Sequence, residues 1–202
     1  MPSRIQDYLK VEEYYDATLT YTLAYRGQCQ PTVLSSVSRK THGTSGTYNV
    51  SSGSFEGRVN GPTQIVTTFN QNVHRVNNTA ADFTLSSGTL GTVTVAGAVV
   101  TVNVSGVADQ AIFTIGFPGI ASDCDNTTTT ATKCWKVLQG DVNGISPVNN
   151  FDVLAVRGLL GQVTDGSNFT RDVNYYNGKI DNFDMLFTRG KLGHSVAGTC
   201  NP

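Results

Sequence analysis

Charge is scarce in this sequence: Asp, Glu, Lys and Arg make up 14% of its 202 residues, against roughly 25% in an average globular chain. What there is nearly cancels, leaving a net charge of −1. No basic field exists to hold nucleic acid or an anionic membrane. No apolar run approaches the roughly 18 residues of a membrane-crossing helix. The N-terminal stretch MPSRIQDYLKVEEYYD has no apolar core followed by a small-residue cleavage site. It does not read as a signal peptide, and the start is expected to be a mature end or a cut from a longer chain. There is no Gly-x-Ser-x-Gly elbow, glycine-rich phosphate loop or HExxH. The acidic residues before Phe117 (Asp7, Glu12, Glu13, Asp16, Glu56, Asp82 and Asp109) are scattered rather than paired. These absences argue against an enzyme.

The four cysteines, Cys29, Cys124, Cys134 and Cys200, form no CxxC pair, and His42, His74 and His194 do not cluster beside them. A zinc site is therefore not expected. An even count at wide spacing in a polar chain reads as two disulfides in an oxidising compartment. Of the three possible connectivities, Cys124–Cys134 with Cys29–Cys200 is favoured, the first stapling a Thr-rich loop and the second joining the two ends.

What the chain does have is Gly, Ser, Thr, Asn and Val, the composition of short strands and tight turns. From Ala17 the residues alternate strictly: Ala17, Leu19, Tyr21, Leu23 and Tyr25 share one face and Thr18, Thr20, Thr22 and Ala24 the other. This predicts a half-buried strand. Further strands are predicted at Thr32–Val37, Thr47–Ser51, Gln64–Asn70, Asp82–Leu85, Thr92–Val95, Ala98–Val104 and Ala111–Phe117, with Cys134–Leu138 as a final one. About eight short strands separated by turn signals point to a β-sandwich of immunoglobulin-like type, with a barrel as the alternative. The only tryptophan, Trp135, follows the predicted sandwich, so the expectation concerns architecture and not antibody ancestry. The run Thr127–Thr130 reads as a loop or linker.

From Gly140 the periodicity changes. GDVNGISPVNNFDVLAVRGLLG is matched 31 to 32 residues later by RDVNYYNGKIDNFDMLFTRGKLG. Oxygen-bearing residues recur at the spacing of an EF-type calcium loop, whose ligands come from positions 1, 3, 5, 7, 9 and 12. In the first repeat these are Asp141, Asn143, the Pro147 carbonyl, Asn149 and Asp152. In the second they are Asp172, Asn174, Asn177, the Lys179 carbonyl, Asp181 and Asp184. The run Val153, Val156, Leu159, Leu160 then has helical spacing, and Gly161 suits a helix end.

This loop-plus-helix duplication, spanning about residues 140–193, resembles the dockerin type I repeat. The resemblance implies two calcium ions that hold the fold. It also implies a cohesin-contacting face around Asn150 and Phe151 in one repeat and Asn182 and Phe183 in the other. Two departures stand out. Ile145 offers no side-chain oxygen at position 5, with Ser146 where glycine makes the turn. The second loop is one residue too long, which calls for a bulge at Tyr175 or Tyr176. The second loop is expected to be the more competent. The preceding region, including Ser38–Gly43 (SRKTHG), resembles Ig-like segments that precede dockerin-like pairs in bacterial surface and secreted proteins. His42 in that run is expected to be a turn or packing residue.

The expected organisation is therefore an N-terminal extension with one strand (residues 1–28), an Ig-like β-sandwich (29–138) and a dockerin-like calcium module (139–202). Sequons at Asn49, Asn77, Asn103, Asn126 and Asn168 are candidate glycosylation sites. The function expected is that of a non-catalytic extracellular or cell-surface protein. It would build a filamentous or surface assembly with copies of itself, the strand Ala17–Tyr25 adding to a neighbour's sheet. Two other readings are a dockerin that anchors the chain to a cohesin-like domain, and a calcium module that packs within the chain to stabilise a surface adhesin fragment.

Overall fold

The computed structural model describes residues 29–201. The predicted strand Ala17–Tyr25, with the rest of the extension, lies outside the described residues. The protein is mostly β, with two helices late in the chain. The strands are β1 (Val33–His42), β2 (Gly46–Ser51), β3 (Phe55–Glu56), β4 (Gln64–Phe69), β5 (Val73–Arg75), β6 (Thr84–Leu85), β7 (Thr89–Ala96), β8 (Val99–Ser105), β9 (Ala111–Gly116), β10 (Ile120–Ser122) and β11 (Thr132–Val137). The helices are α1 (Asn150–Arg157) and α2 (Asn182–Gly190).

Three sheets form. A five-stranded sheet has the order β2-β1-β4-β8-β7, a four-stranded one the order β3-β11-β9-β6, and β10 pairs with β5. Every pairing in the five-stranded sheet is antiparallel. The one parallel pairing among the described residues is β11 with β3. Val100, Val102 and Val104 of β8 face inward with Ile65 and Phe69 of β4, and meet Phe113 and Ile115 of β9 and Trp135 of β11. Strict alternation is the reason, since side chains two apart on a strand share a face. The Trp135 indole N–H, fully buried, donates to the Val50 carbonyl at 3.0 Å, which removes the penalty of burying it.

Some elements differ from expectation. β1 runs on past the predicted end at Val37 to His42, which is a buried packing residue, and Gly43 opens the turn that follows. Asp82 does not open a strand: it closes a 3-10 turn, Ala80–Asp82, and its carboxylate accepts from the Asn77 and Thr79 N–H groups and from Arg75. Short polar side chains compete with the sheet in this way. α1 starts at Asn150 and ends at Arg157, with Gly158 as its cap, earlier at both ends than the apolar spacing implied. Its start is set by the Asn149 side chain, which accepts from the Phe151 N–H, while Asp152 accepts from the Asn149 N–H.

The disulfides are Cys29–Cys124 and Cys134–Cys200, not Cys124–Cys134 and Cys29–Cys200. The cause lies in strand pairing. β10 pairs with β5, and the Asp123 N–H donates to the Asn72 carbonyl, which brings Cys124 to the turn after β4. The Gln71 side chain donates to the Cys29 carbonyl at that turn, so Cys29 meets Cys124 there. Cys134 alternates with the core-facing Trp135 and points to the other side of β11, where the C-terminal segment reaches it. No described cysteine is free, which fits an oxidising compartment.

The two loop–helix units share a small core of Val142, Val156, Val173 and Ile180, flanked by Ala155, Leu159, Met185 and Phe187. Its halves correspond: Val142 to Val173, Val148 to Ile180, and Val156 to Thr188. The last pair breaks the pattern, because the Thr188 hydroxyl is fully buried with no hydrogen-bond partner. Replacing it with an isosteric methyl removes that desolvation penalty. Thr188→Val is expected to stabilise the chain by about 1 kcal/mol, read as a higher midpoint with unchanged slope in denaturant unfolding.

Candidate functional site

Each loop is organised by its own short polar side chains, and the organisation is the same in both. Asp141 accepts from the Gly144 N–H at 2.6 Å, and Asp172 from the Tyr175 N–H at 2.9 Å. Asn143 accepts from the Ile145 N–H, and Asn174 from the Tyr176 N–H. Asp152 takes the Asn143 and Asn149 N–H groups on its two oxygens, and Asp184 takes those of Asn174 and Asp181. Asn149 and Asp181 both cap the helix that follows.

This matching locates the additional residue of the second loop. Equivalence at 31 residues holds as far as Ile145 and Tyr176; equivalence at 32 has begun by Val148 and Ile180. The insertion therefore falls between Tyr176 and Ile180, at the Asn177-Gly178 turn, and not at Tyr175 or Tyr176. Tyr175 (φ +48°) simply takes the left-handed place of Gly144 (φ +76°). Gly178 (φ +68°) supplies the additional turn, one that a side chain would strain.

Asp141 Oδ2 is buried with no hydrogen-bond partner, beside Asp152. Burial, with help from Asp152, pushes the Asp141 carboxyl above its usual range. An orphaned buried carboxylate oxygen is what a bound cation would satisfy. In the second loop burial raises Asp184 to about 6, and Asp172 and Asp181 add to the effect. Asp172 itself is less free: Oδ1 holds the Tyr175 N–H, and Oδ2 takes both the Thr164 hydroxyl at 2.6 Å and His42 Nδ1 at 2.9 Å. The orphaned oxygen thus lies in the first loop, the one expected to be weaker. Among the described residues no three His, Cys, Asp or Glu side chains converge as a metal-binding group. The remaining loop donors are Asn side chains and backbone carbonyls.

The contact with His42 opens onto a buried polar network that fastens the loops to the β-layers. Glu56 and Arg58, both buried, pair through two bonds, Nε to Oε1 at 2.8 Å and Nη2 to Oε2 at 2.7 Å. Arg58 also donates to the carbonyls of Ser38 and Tyr48, and its Nη1 lies 3.4 Å from His42 Nε2. The pattern selects one neutral tautomer, with Nδ1–H donating to Asp172 and Nε2 facing Arg58. Ser38, Lys40 and His42 alternate along β1 and all point into this network. The SRKTHG run is thus the strand that clamps the second loop.

Backbone contacts add to the clamp. The Gly140 N–H donates to the Gly57 carbonyl, the Val59 N–H to Val173, and the Gly43 N–H to Tyr175. A side chain at Gly57 would collide with the Asp141 carbonyl, so glycine is required for that approach. A cleft of about 360 Å³ lies beside it, bounded by Asn49, Phe55, Arg58, Asn143 and Arg171 among others.

Outside the clamp the helices show a matched apolar face. Phe151 and Phe183 are each 73% exposed, and Leu154 and Leu186 each 54%. Asn150 and Asn182 beside them are also exposed. Of the sequons, Asn49, Asn77 and Asn126 are exposed and Asn103 half-buried. Asn168 is a correction: it is 5% exposed, with its amide spent on the Val163 carbonyl and the Asp165 N–H, and offers no acceptor in the folded chain.

Comparison with protein-family models, curated proteins and solved structures finds no match to this chain. No described helix is long and apolar enough to cross a membrane.

Two outcomes test the clamp. Arg58→Ala strands Glu56 in a buried site and is expected to cost about 3–5 kcal/mol of stability, measured by denaturant unfolding. Burial lowers the Lys40 ammonium from 10.5 to about 7, against the pull of Glu56. The unfolded chain then binds the additional proton above pH 7, so stability rises from pH 7 towards 9. Lys40→Met should flatten that rise in melting temperature.

Proposed function

We propose that this chain is a non-catalytic extracellular interaction protein, a calcium-stiffened subunit of a surface or filamentous assembly. Its β-layers serve as an Ig-like body and its paired loop–helix units as a dockerin-like module. The observation that carries the calcium reading is the duplicated polar skeleton around Asp141 and Asp172, with an orphaned buried oxygen on Asp141. Asp141, Asn143, Asn149, Asp152 and the Pro147 carbonyl would hold one ion. Asp172, Asn174, Asn177, Asp181, Asp184 and the Lys179 carbonyl would hold the other. The all-oxygen donor set suits a hard cation. Such an ion would neutralise carboxylates that burial now disfavours and lock the loops on which both helices start.

The matched face of Phe151, Leu154, Phe183 and Leu186 supports a contact role. A cohesin-like partner is a second reading, favoured by the equal exposure of the two Phe residues in the two repeats. Because His42 and Gly57 tie both loops to the body, calcium is expected to stabilise the whole chain and not the module alone.

Calorimetric titration of the chelator-treated chain with calcium, combined with thermal melting, tests this. Calcium at 100 times its Kd should add about 2.7 kcal/mol and raise a single transition. Asp141→Asn and Asp184→Asn should each remove one component of the binding heat. No heat, and a melt indifferent to chelator, would sink the calcium reading. Two transitions, only one of them calcium-sensitive, would sink the coupling.

A further inference from the structure

Among the described residues, one of the two outer strands of the five-stranded sheet is covered and the other has an open edge. On β2 the Tyr48 carbonyl accepts from Arg58, the Val50 carbonyl from Trp135, and the Tyr48 hydroxyl reaches the Thr164 carbonyl of the module. On β7 nothing comparable occurs. Among the described residues Thr89–Ala96 pairs only with β8 and makes no turn or loop backbone bond. Its sequence, TLGTVTVA, has no charge and no proline, the devices by which proteins usually blunt an edge. One bulge, between Leu90 and Val93, is its only irregularity, and Val93–Ala96 beyond it pairs regularly. Leu90, Val93 and Val95 of β7 and Leu85 of β6 remain partly buried along this side of the core.

We infer that β7 is the acceptor edge for residues Ala17–Tyr25 of a second copy of this chain, added as a sixth antiparallel strand. The inference rests on the assembly reading above and names the surface it uses. The segment ATLTYTLAY matches what the edge lacks. It is nine residues long against the eight of β7, uncharged, and alternates without interruption. Leu19, Tyr21, Leu23 and Tyr25 would cover Leu90, Val93 and Val95. Thr18, Thr20 and Thr22 would extend the polar outer face that carries Thr94 and Thr101.

A second copy is favoured over the chain's own segment by direction. Cys29 is held at the Asn70–Asn72 turn, the end of the sheet where β7 also finishes: the Phe69 N–H donates to Ala98, and the Val73 N–H to Gly97, in the turn after β7. The three residues between Tyr25 and Cys29 would make a strand from the same chain run parallel to β7. The sheet is otherwise antiparallel, the stronger pairing. A strand from another copy has no such tether.

Sedimentation velocity of the full chain with calcium, over a range of concentrations, tests this with two variants. Tyr21→Pro removes a ladder donor from the segment, and Val95→Lys places a charge on the open edge. Thermal melts report whether each body is folded, with Thr94→Pro as the substitute if Val95→Lys is not. The wild type should form species that lengthen with concentration. Each variant alone should be monomeric, and an equimolar mixture should form heterodimers and nothing larger, because one intact donor meets one intact edge. Wild-type oligomers that persist in both variants would overturn this inference and leave the assembly reading standing. A monomeric wild type would overturn both. A monomeric wild type whose body loses several degrees with Tyr21→Pro would place the strand in its own sheet.

Discussion

The pairing of Glu56 with Arg58, carried through His42 to Asp172, is the interaction on which the rest of the arrangement depends. It is buried throughout, and each charge has a bonded partner. A buried ion pair is weak evidence of net stability, because desolvation opposes the Coulomb gain. Its consequence here is geometric. A guanidinium fixed by a bidentate carboxylate can offer its other N–H groups in set directions only. Those directions are the Ser38 and Tyr48 carbonyls and the ring of His42. β1, β2, β3 and the second loop are thereby held in one register.

The network also explains the sequence around it. Glu-Gly-Arg places both charges on one side of the chain as it leaves β3, with a glycine between them where the chain must touch the first loop. Ser-x-Lys-x-His on β1 sends every second side chain into the same interior. A hydrophobic face would pack there with less constraint on position. The polar one ties loop position to strand position, so an ion bound by the loops would act on the body through a short covalent and hydrogen-bonded path.

Much of the loop–helix pair was legible because its determinants are local. An Asx side chain bonds an N–H two to four residues away, and a helix cap lies within three residues of what it caps. Asp141, Asn143, Asn149 and Asp152, and their counterparts in the second repeat, whose spacing was read as that of calcium ligands, hold the turns and helix caps of their own loops. The alternation in Val99–Ser105 and Ala111–Gly116 was readable for the same reason, since a strand's facing repeats every two residues. Less was legible where a local pattern had rivals. Asp82 formed a turn instead of a strand, α1 began at its cap instead of at the first apolar repeat, and the second loop's additional residue moved to the one turn that holds a left-handed glycine.

By itself the sequence determined the mostly β character, the duplication and the cysteines' oxidised state, because each follows from neighbours along the chain or from composition. Tertiary structure alone decided the partners across long separations. Cys29 bonded Cys124 because β10 paired with β5. His42 met Asp172, 130 residues on, because the second loop folds back over the end of β1. Asn168 was buried and Phe151 left bare. One edge of the sheet was sealed by Arg58, Trp135 and the module, while the outer edge of the other, β7, has no partner among the described residues. Such contacts depend on which surfaces remain after the layers close, and no short window of sequence contains that information.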